Sequence, residues 1–188
     1  MKNVLKNRKG FTLIELLAVI VILAILVMVA IPAVTKYLNT ARAGTFSDNA
    51  QTAISAVRTA VVANGIEQTK FNIGDETNIG SCTVKDNDNK EIKDEASCIQ
   101  NNGTWHYTIN SLLEKKLERS PFGLKYCSES YIKVEVEPDG TTTYCMALMD
   151  EGGHGFSQCT AEKSISDKVV IISSDKTGTA ACSQITGN

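Results

Sequence analysis

The chain of 188 residues has little of what enzymes use for chemistry. It holds two histidines, His106 and His154, and no H-E-x-x-H, phosphate-cradling glycine loop or nucleophile elbow. His154 lies in a glycine-rich stretch just before Cys159. A zinc centre would need two or more further ligands brought beside them, in a compartment where thiols usually oxidise. These absences argue against an enzyme and against a resident cofactor or metal. Aromatic residues make up only 6% of the chain, which leaves no base-stacking platform. Outside the first ten residues acidic side chains outnumber basic ones. Lys2, Lys6, Arg8 and Lys9 carry +4 there, and subtracting them from the net −2 leaves −6 from Phe11 onward. Duplex binding rests on Lys and Arg neutralising phosphates, so an acidic exterior does not point to nucleic acid.

There is also no C-x-x-C pair. The six cysteines, Cys82, Cys98, Cys127, Cys145, Cys159 and Cys182, are spread through polar, loop-like sequence. An even number of this kind beyond an apolar segment reads as disulfides in an oxidising, extracytoplasmic space. A calcium loop is suggested by Asp86-Asn87-Asp88-Asn89-Lys90. It lacks the sixth-position glycine (Glu91) and the twelfth-position glutamate (Ser97), so a solvated loop is the better reading. Asn102-Gly103-Thr104 fits the N-glycosylation pattern, which is short and frequent by chance.

What the sequence does have is one long apolar run. Phe11 to Ile31 is 21 residues with a single charge, Glu15. At about 1.5 Å per residue this crosses a hydrocarbon core of roughly 30 Å. The run exceeds an ordinary signal-peptide core, and no Ala-x-Ala site closes it. The basic leader predicts a cytoplasmic N-terminus and an exported C-terminal part. A carboxylate this deep in a membrane helix is costly and normally has a partner. A cut after Gly10 would leave Phe11 with a free amine, and Glu15 of a neighbouring chain would pair with it inside an apolar bundle.

Gly10-Phe11-Thr12-Leu13-Ile14-Glu15, after a short basic leader and before a long apolar run, resembles the prepilin signal of type IV pilins and pseudopilins. Gly before the cut, Phe after it and Glu at the fifth mature position are all present, and Pro32 matches a helix-bending proline of many members. The resemblance covers Met1 to about Ala63. It implies cleavage between Gly10 and Phe11 by a membrane prepilin peptidase, N-methylation of Phe11 by the peptidase's methyltransferase activity, and assembly into a helical filament. In that filament Glu15 contacts the next subunit's Phe11 amine. The implied partners are further copies of the chain, other pilins, the processing enzyme and, before assembly, the cytoplasmic membrane. The implied location is the cell surface or an extracellular filament.

After Pro32 the pattern becomes periodic. Val34, Leu38 and Ala41, then Phe46, Ala50, Ile54, Val57 and Val61, fall at helical spacing, and Lys36, Arg42, Asp48, Gln51 and Arg58 take the polar face. Asn64-Gly65 is a helix stop. The spacing predicts one nearly continuous helix from Phe11 to about Ala63, kinked near Pro32, whose ring removes the donor to the Met28 carbonyl. Residues 1–10 then form the leader, 11–31 the membrane or filament-core helix, 32–64 its amphipathic continuation and 65–188 an exported head.

In the head, Ile66 to Gln100 reads as a long polar loop. Ile109 to Leu117 reads as a short helix burying Leu113 and Leu117, ended by Ser120-Pro121-Phe122-Gly123. Tyr131 to Val136 alternates as a half-buried strand, Pro138-Asp139-Gly140 turns it, and Thr141 to Leu148 pairs back. Glu151 to Gly155 reads as a flexible loop, and Lys168 to Ser173 as a third strand. A long helix on a small antiparallel sheet is α+β, which the resemblance also implies. Cys82 with Cys98 would staple the polar loop. Cys159 with Cys182 would close the third strand, leaving Cys127 for Cys145. Cys145, however, faces about Lys133 across the hairpin. Six cysteines allow fifteen connectivities, and the sequence does not choose among them.

The function this predicts is a structural subunit of a type IV pilus-like filament. The alternatives are a pseudopilin of a type II secretion or DNA-uptake system, or a membrane-anchored, adhesin-like minor pilin.

Overall fold

The computed structural model describes residues 10–74, 80–165 and 178–185. It divides into two units, one ending at Ala41 and one beginning at Arg42. A single helix, α1 (Leu13–Asn64, 52 residues), contributes to both.

In the first unit, every residue from Gly10 to Ala41 is exposed. Among the described residues its large apolar side chains stay exposed: Ile25 is 60% exposed and Met28 78%. Pro32 lies inside the helix, which runs through it as the resumed periodicity predicts. Pro32 cannot donate to the Met28 carbonyl. Three residues on, the Thr35 hydroxyl donates to the Ile31 carbonyl at 2.6 Å.

In the second unit, α1 meets a core. Phe46, Ala50, Ile54 and Val57 are fully buried, joined by Ala53 and Ala60. The buried stripe starts at Phe46 rather than at Val34, because Val34 and Leu38 remain 54% and 44% exposed. The helix ends at Asn64, followed by Gly65 at φ 64°, the left-handed stop that the Asn-Gly pair predicts. Next come β1 (Lys70–Asn72), β2 (Gly80–Cys82), α2 (Glu95–Gln100), β3 (Trp105–Tyr107) and α3 (Ile109–Leu112). They are followed by β4 (Tyr131–Val136), β5 (Thr142–Met149), β6 (Gly155–Ala161), a 3-10 turn (Glu162–Ser164) and α4 (Thr179–Cys182). The main sheet is antiparallel in the order β1-β4-β5-β6, and β2 pairs with β3 separately. Long helix plus antiparallel sheet is the α+β arrangement expected.

The β4–β5 hairpin follows its sequence. Lys133 stands opposite Cys145, and Gly140 at φ 84° makes the turn, with the Thr141 N–H donating to Asp139 Oδ1. Ile132 and Val134 from β4, with Tyr144, Met146 and Leu148 from β5, share one core with the stripe of α1. Burying a Phe or Ile in such a core stabilises by about 1.5–3 kcal/mol each. Arg58 on α1 pairs with Glu162 just past β6, and its guanidinium lies 5.0 Å from the Tyr144 ring. A smaller cluster of Ile92, Cys98 and Trp105 holds the β2–β3 sheet.

Several expectations for the head are corrected. Ile66 to Gln100 is not one loop, since it contains β1, β2 and α2. The strands are three residues each, too short for alternation to show. The α3 helix is a single capped turn rather than a run to Leu117. Buried Asn110 explains the early end: its Oδ1 accepts the Leu117 N–H at 2.7 Å, in competition with a helical bond. The strand expected at Lys168 to Ser173 lies outside the described residues, and β6, which was not expected, pairs with β5.

The disulfides are Cys82–Cys98, Cys127–Cys182 and Cys145–Cys159. The first is the staple expected. The pairings Cys159 with Cys182 and Cys127 with Cys145 are overturned. β6 explains the change, because it lies beside β5 and brings Cys159 to a Cα distance of 5.1 Å from Cys145. Cys127 and Cys182 then join in a small cluster with Met149 and Ile185.

Candidate functional site

The residues singled out by the sequence, Gly10, Phe11 and Glu15, lie at the start of α1. Gly10 and Phe11 precede the helix, and Phe11 is 91% exposed. A methyl group added at Gly10 would meet nothing within 4 Å, and its φ is not left-handed. Nothing among the described residues therefore requires glycine at that position.

Thr12 and Glu15 form a reciprocal cap. The Thr12 N–H donates to Glu15 Oε2 at 2.7 Å, and the Thr12 hydroxyl donates to the same oxygen at 2.8 Å. The Glu15 N–H returns a bond to Thr12 Oγ1 at 3.3 Å. The first helical bond, Leu16 N–H to the Thr12 carbonyl, closes the turn at 3.2 Å. This is a capping box, T-x-x-E, and it is legible in Thr12-Leu13-Ile14-Glu15. The sequence reading gives Glu15 a partner only in a neighbouring chain, the Phe11 amine, and the bond to its own Thr12 goes unread. Both carboxylate contacts fall on Oε2. Among the described residues Oε1 accepts no hydrogen bond. The site thus pairs a locally satisfied acid with one open oxygen at the head of a helix long and apolar enough to cross a membrane.

The other titratable cluster is in the head. Asp150 is fully buried at the end of β5. Ser120 Oγ donates to its Oδ2 at 2.5 Å, the N–H groups of Gly152 and His154 donate to Oδ1 at 2.9 and 3.0 Å, and His154 Nδ1 lies 2.9 Å from Oδ1. The His154 ring stacks on Phe122 with centroids 3.9 Å apart. The segment Glu151 to Gly155, expected as a flexible loop, is therefore a tight turn wound around a carboxylate. Hydroxyl and imidazole both bond the acid rather than each other, so there is no Ser–His nucleophile pair here.

The zinc idea at His154 and Cys159 fails for a simple reason, since Cys159 is spent in a disulfide. Cys127, Glu129 and Cys182 approach one another within 4.8 Å, but both sulfurs belong to one bond. Asp86 Oδ1 accepts the N–H groups of Asp88 and Lys90, which makes the acidic stretch a self-satisfied turn.

Two phenols are pushed up to about 12: Tyr107 by its hydrogen bond to Glu95, at 2.5 Å, and Tyr126 chiefly by burial. Both stay protonated under physiological conditions.

Residues 5–31 match the family model described as the prokaryotic N-terminal methylation motif, which is the prepilin-type signal of type IV pilins. The match spans Gly10, Phe11, the capping box and the apolar run, and stops one residue before Pro32. No curated protein and no solved structure matches the chain.

Proposed function

We propose that this chain, which carries a prepilin-type N-terminal signal, is a structural subunit of a type IV pilus-like filament with no enzymatic activity of its own. The observation that carries the reading is the exposed half of α1. Its apolar surface is complete, bears one carboxylate and finds no partner within the described chain.

Before assembly the membrane covers that surface, with the leader on the cytoplasmic side and the head exported. Hydrolysis of the Gly10–Phe11 peptide bond consumes one water and leaves a carboxylate on Gly10 and an ammonium on Phe11. N-methylation of Phe11 keeps the charge. The freedom of Gly10 from any fold requirement supports a demand imposed from outside, by the processing enzyme.

On assembly, lipid is exchanged for neighbouring helices. Lipid is as apolar as leucine, so close packing and polar contacts favour the bundle rather than the hydrophobic effect. A charged pair inside apolar surroundings is costly to break, because separation leaves each charge unpaired. Glu15 Oε1 is the atom for the neighbour's Phe11 amine, while Oε2 stays on the subunit's own Thr12. The pair then fixes how far one subunit slides along the next.

The test is Glu15→Ala. Export and cleavage should be intact and filament assembly lost, while normal filaments from that variant would overturn the reading. Mass spectrometry of the mature chain should find Phe11 first, carrying one extra methyl. Electron microscopy of sheared surface material distinguishes a major subunit, abundant in long fibres, from a pseudopilin or minor pilin present in traces.

A further inference from the structure

A groove of about 630 Å³ opens in the head between β1 and the β2–β3 sheet. Its frame is held by two amide side chains. Gln68 accepts the Tyr107 N–H on its Oε1 at 2.8 Å, and its Nε2 donates to the carbonyls of Tyr107 and Lys70 at 2.9 and 2.6 Å. It thus takes the place of a strand between β1 and β3. Asn110 is buried, donates from Nδ2 to the Gly74 carbonyl at 3.0 Å, and accepts the Leu117 N–H. These bonds hold the frame in place.

Around this fixed frame stand Asn72, Ser81, His106, Glu118 and Lys125. None of the five side chains makes a hydrogen bond or ion pair among the described residues, although each lines the groove. The set combines donors, acceptors and an imidazole.

Charge and polarity narrow what such a groove accepts. Of its two lysines, Lys70 has its ammonium 4.2 Å from the Tyr131 ring centroid. Lys125 and Lys70 against Glu118 leave one net positive charge in the lining, and the Glu118 carboxylate within it disfavours an anion. Ile73 and Leu117 are the only large aliphatic side chains in the lining, too few for an apolar ligand. A polyhydroxylated neutral molecule fits, since each hydroxyl both donates and accepts and its C–H faces suit isolated apolar side chains. The volume falls within the range of roughly 300–1,000 Å³ usual for small-molecule sites.

We propose that this groove binds a short neutral saccharide, with Asn72 and Glu118 supplying hydrogen bonds to its hydroxyls. The proposal holds whether or not the chain polymerises.

The test is calorimetric titration of the full chain, kept in a detergent whose headgroup is not a sugar. The probes are cellobiose, lactose, maltose and diacetylchitobiose, each to about 20 mM, a ceiling well above millimolar affinity. Saturable binding of at least one disaccharide is expected, weakened at least tenfold by Asn72→Ala or Glu118→Ala. Both side chains are exposed and unpartnered, so the thermal midpoint should not move and folding is not at stake. No saturable heat with any probe, an affinity unchanged in both variants, or tighter binding of inorganic phosphate than of any disaccharide would overturn it.

Discussion

The two halves of α1 have the same backbone and similar apolar side chains, yet opposite fates. Ile25 is 60% exposed and Leu26 59%, while Ile54 and Phe46 are at zero. Helix propensity does not separate them, since isoleucine serves in both. The difference is that residues after Phe46 meet a sheet of the same chain, and those before it stay exposed among the described residues. Burial in the second half therefore stabilises the folded monomer, whereas in the function proposed above burial of the first half comes from lipid or other subunits. Composition also marks the boundary. The first half is apolar on all sides until Pro32, as a membrane-exposed helix must be, and the second half is striped.

Matched truncations test this contrast most directly. Ile54→Ala should destabilise the head by about 2–5 kcal/mol, the usual range for emptying a buried isoleucine site. Ile25→Ala should leave head stability unchanged. Denaturant unfolding followed by Trp105, the sole tryptophan and buried in the head, reads both. Equal losses from the two variants would break the comparison.

Next in size come the disulfides, all of which lie in the second unit. Replacing Cys127 and Cys182 together by serine should cost about 2–4 kcal/mol. Replacing Cys145 and Cys159 should cost less, because in the chain-entropy model the 55-residue separation constrains the unfolded chain more than the 14-residue one. Neither double variant should alter Gly10–Phe11 cleavage, which a mass measurement of the mature chain checks.

The smallest effect is at the α2 cap. The Ser97 N–H, and next its side chain, hold the Asp94 carboxyl below its ordinary value of 3.8. The folded state therefore keeps Asp94 ionised to lower pH than the unfolded state does. The cap's contribution is fully present above about pH 3.8 and is lost as pH falls through the lower folded value. The Ser97 amide proton should titrate in NMR with a midpoint below 3.8; one at or above it would remove the cap from the account.

The legible parts of this fold share a property: their signals are long or local. The apolar run, the stripe from Phe46 to Val61 and the alternating Tyr131 to Val136 each repeat a period often enough to be read. The turn at Asp139-Gly140 is chemically local. What escaped depends on a distant partner. The strand β6, Gly-Phe-Ser-Gln-Cys-Thr-Ala, has a single large apolar residue and becomes a strand because β5 offers an edge. Without β6, Cys159 had no reason to meet Cys145, and the remaining bridges were assigned wrongly. The length of α3 was misjudged because one buried amide, Asn110, competes with the helix for the Leu117 N–H. At the N-terminal site, Gly10, Phe11 and Glu15 were readable as a motif. Thr12 was equally readable as a cap, but attention to the charge hid its local bond.

The bridge between Cys127 and Cys182 also sets the covalent topology of the head. It encloses β4, β5, β6 and the smaller loop closed by Cys145 and Cys159. A single peptide-bond cut between Cys127 and Cys182 leaves both fragments joined through sulfur. A subunit nicked there would keep its C-terminal piece attached and migrate near full size on a non-reducing gel, parting only when a thiol is added. In the filament proposed above, such a cut would be a local scar rather than the loss of a subunit.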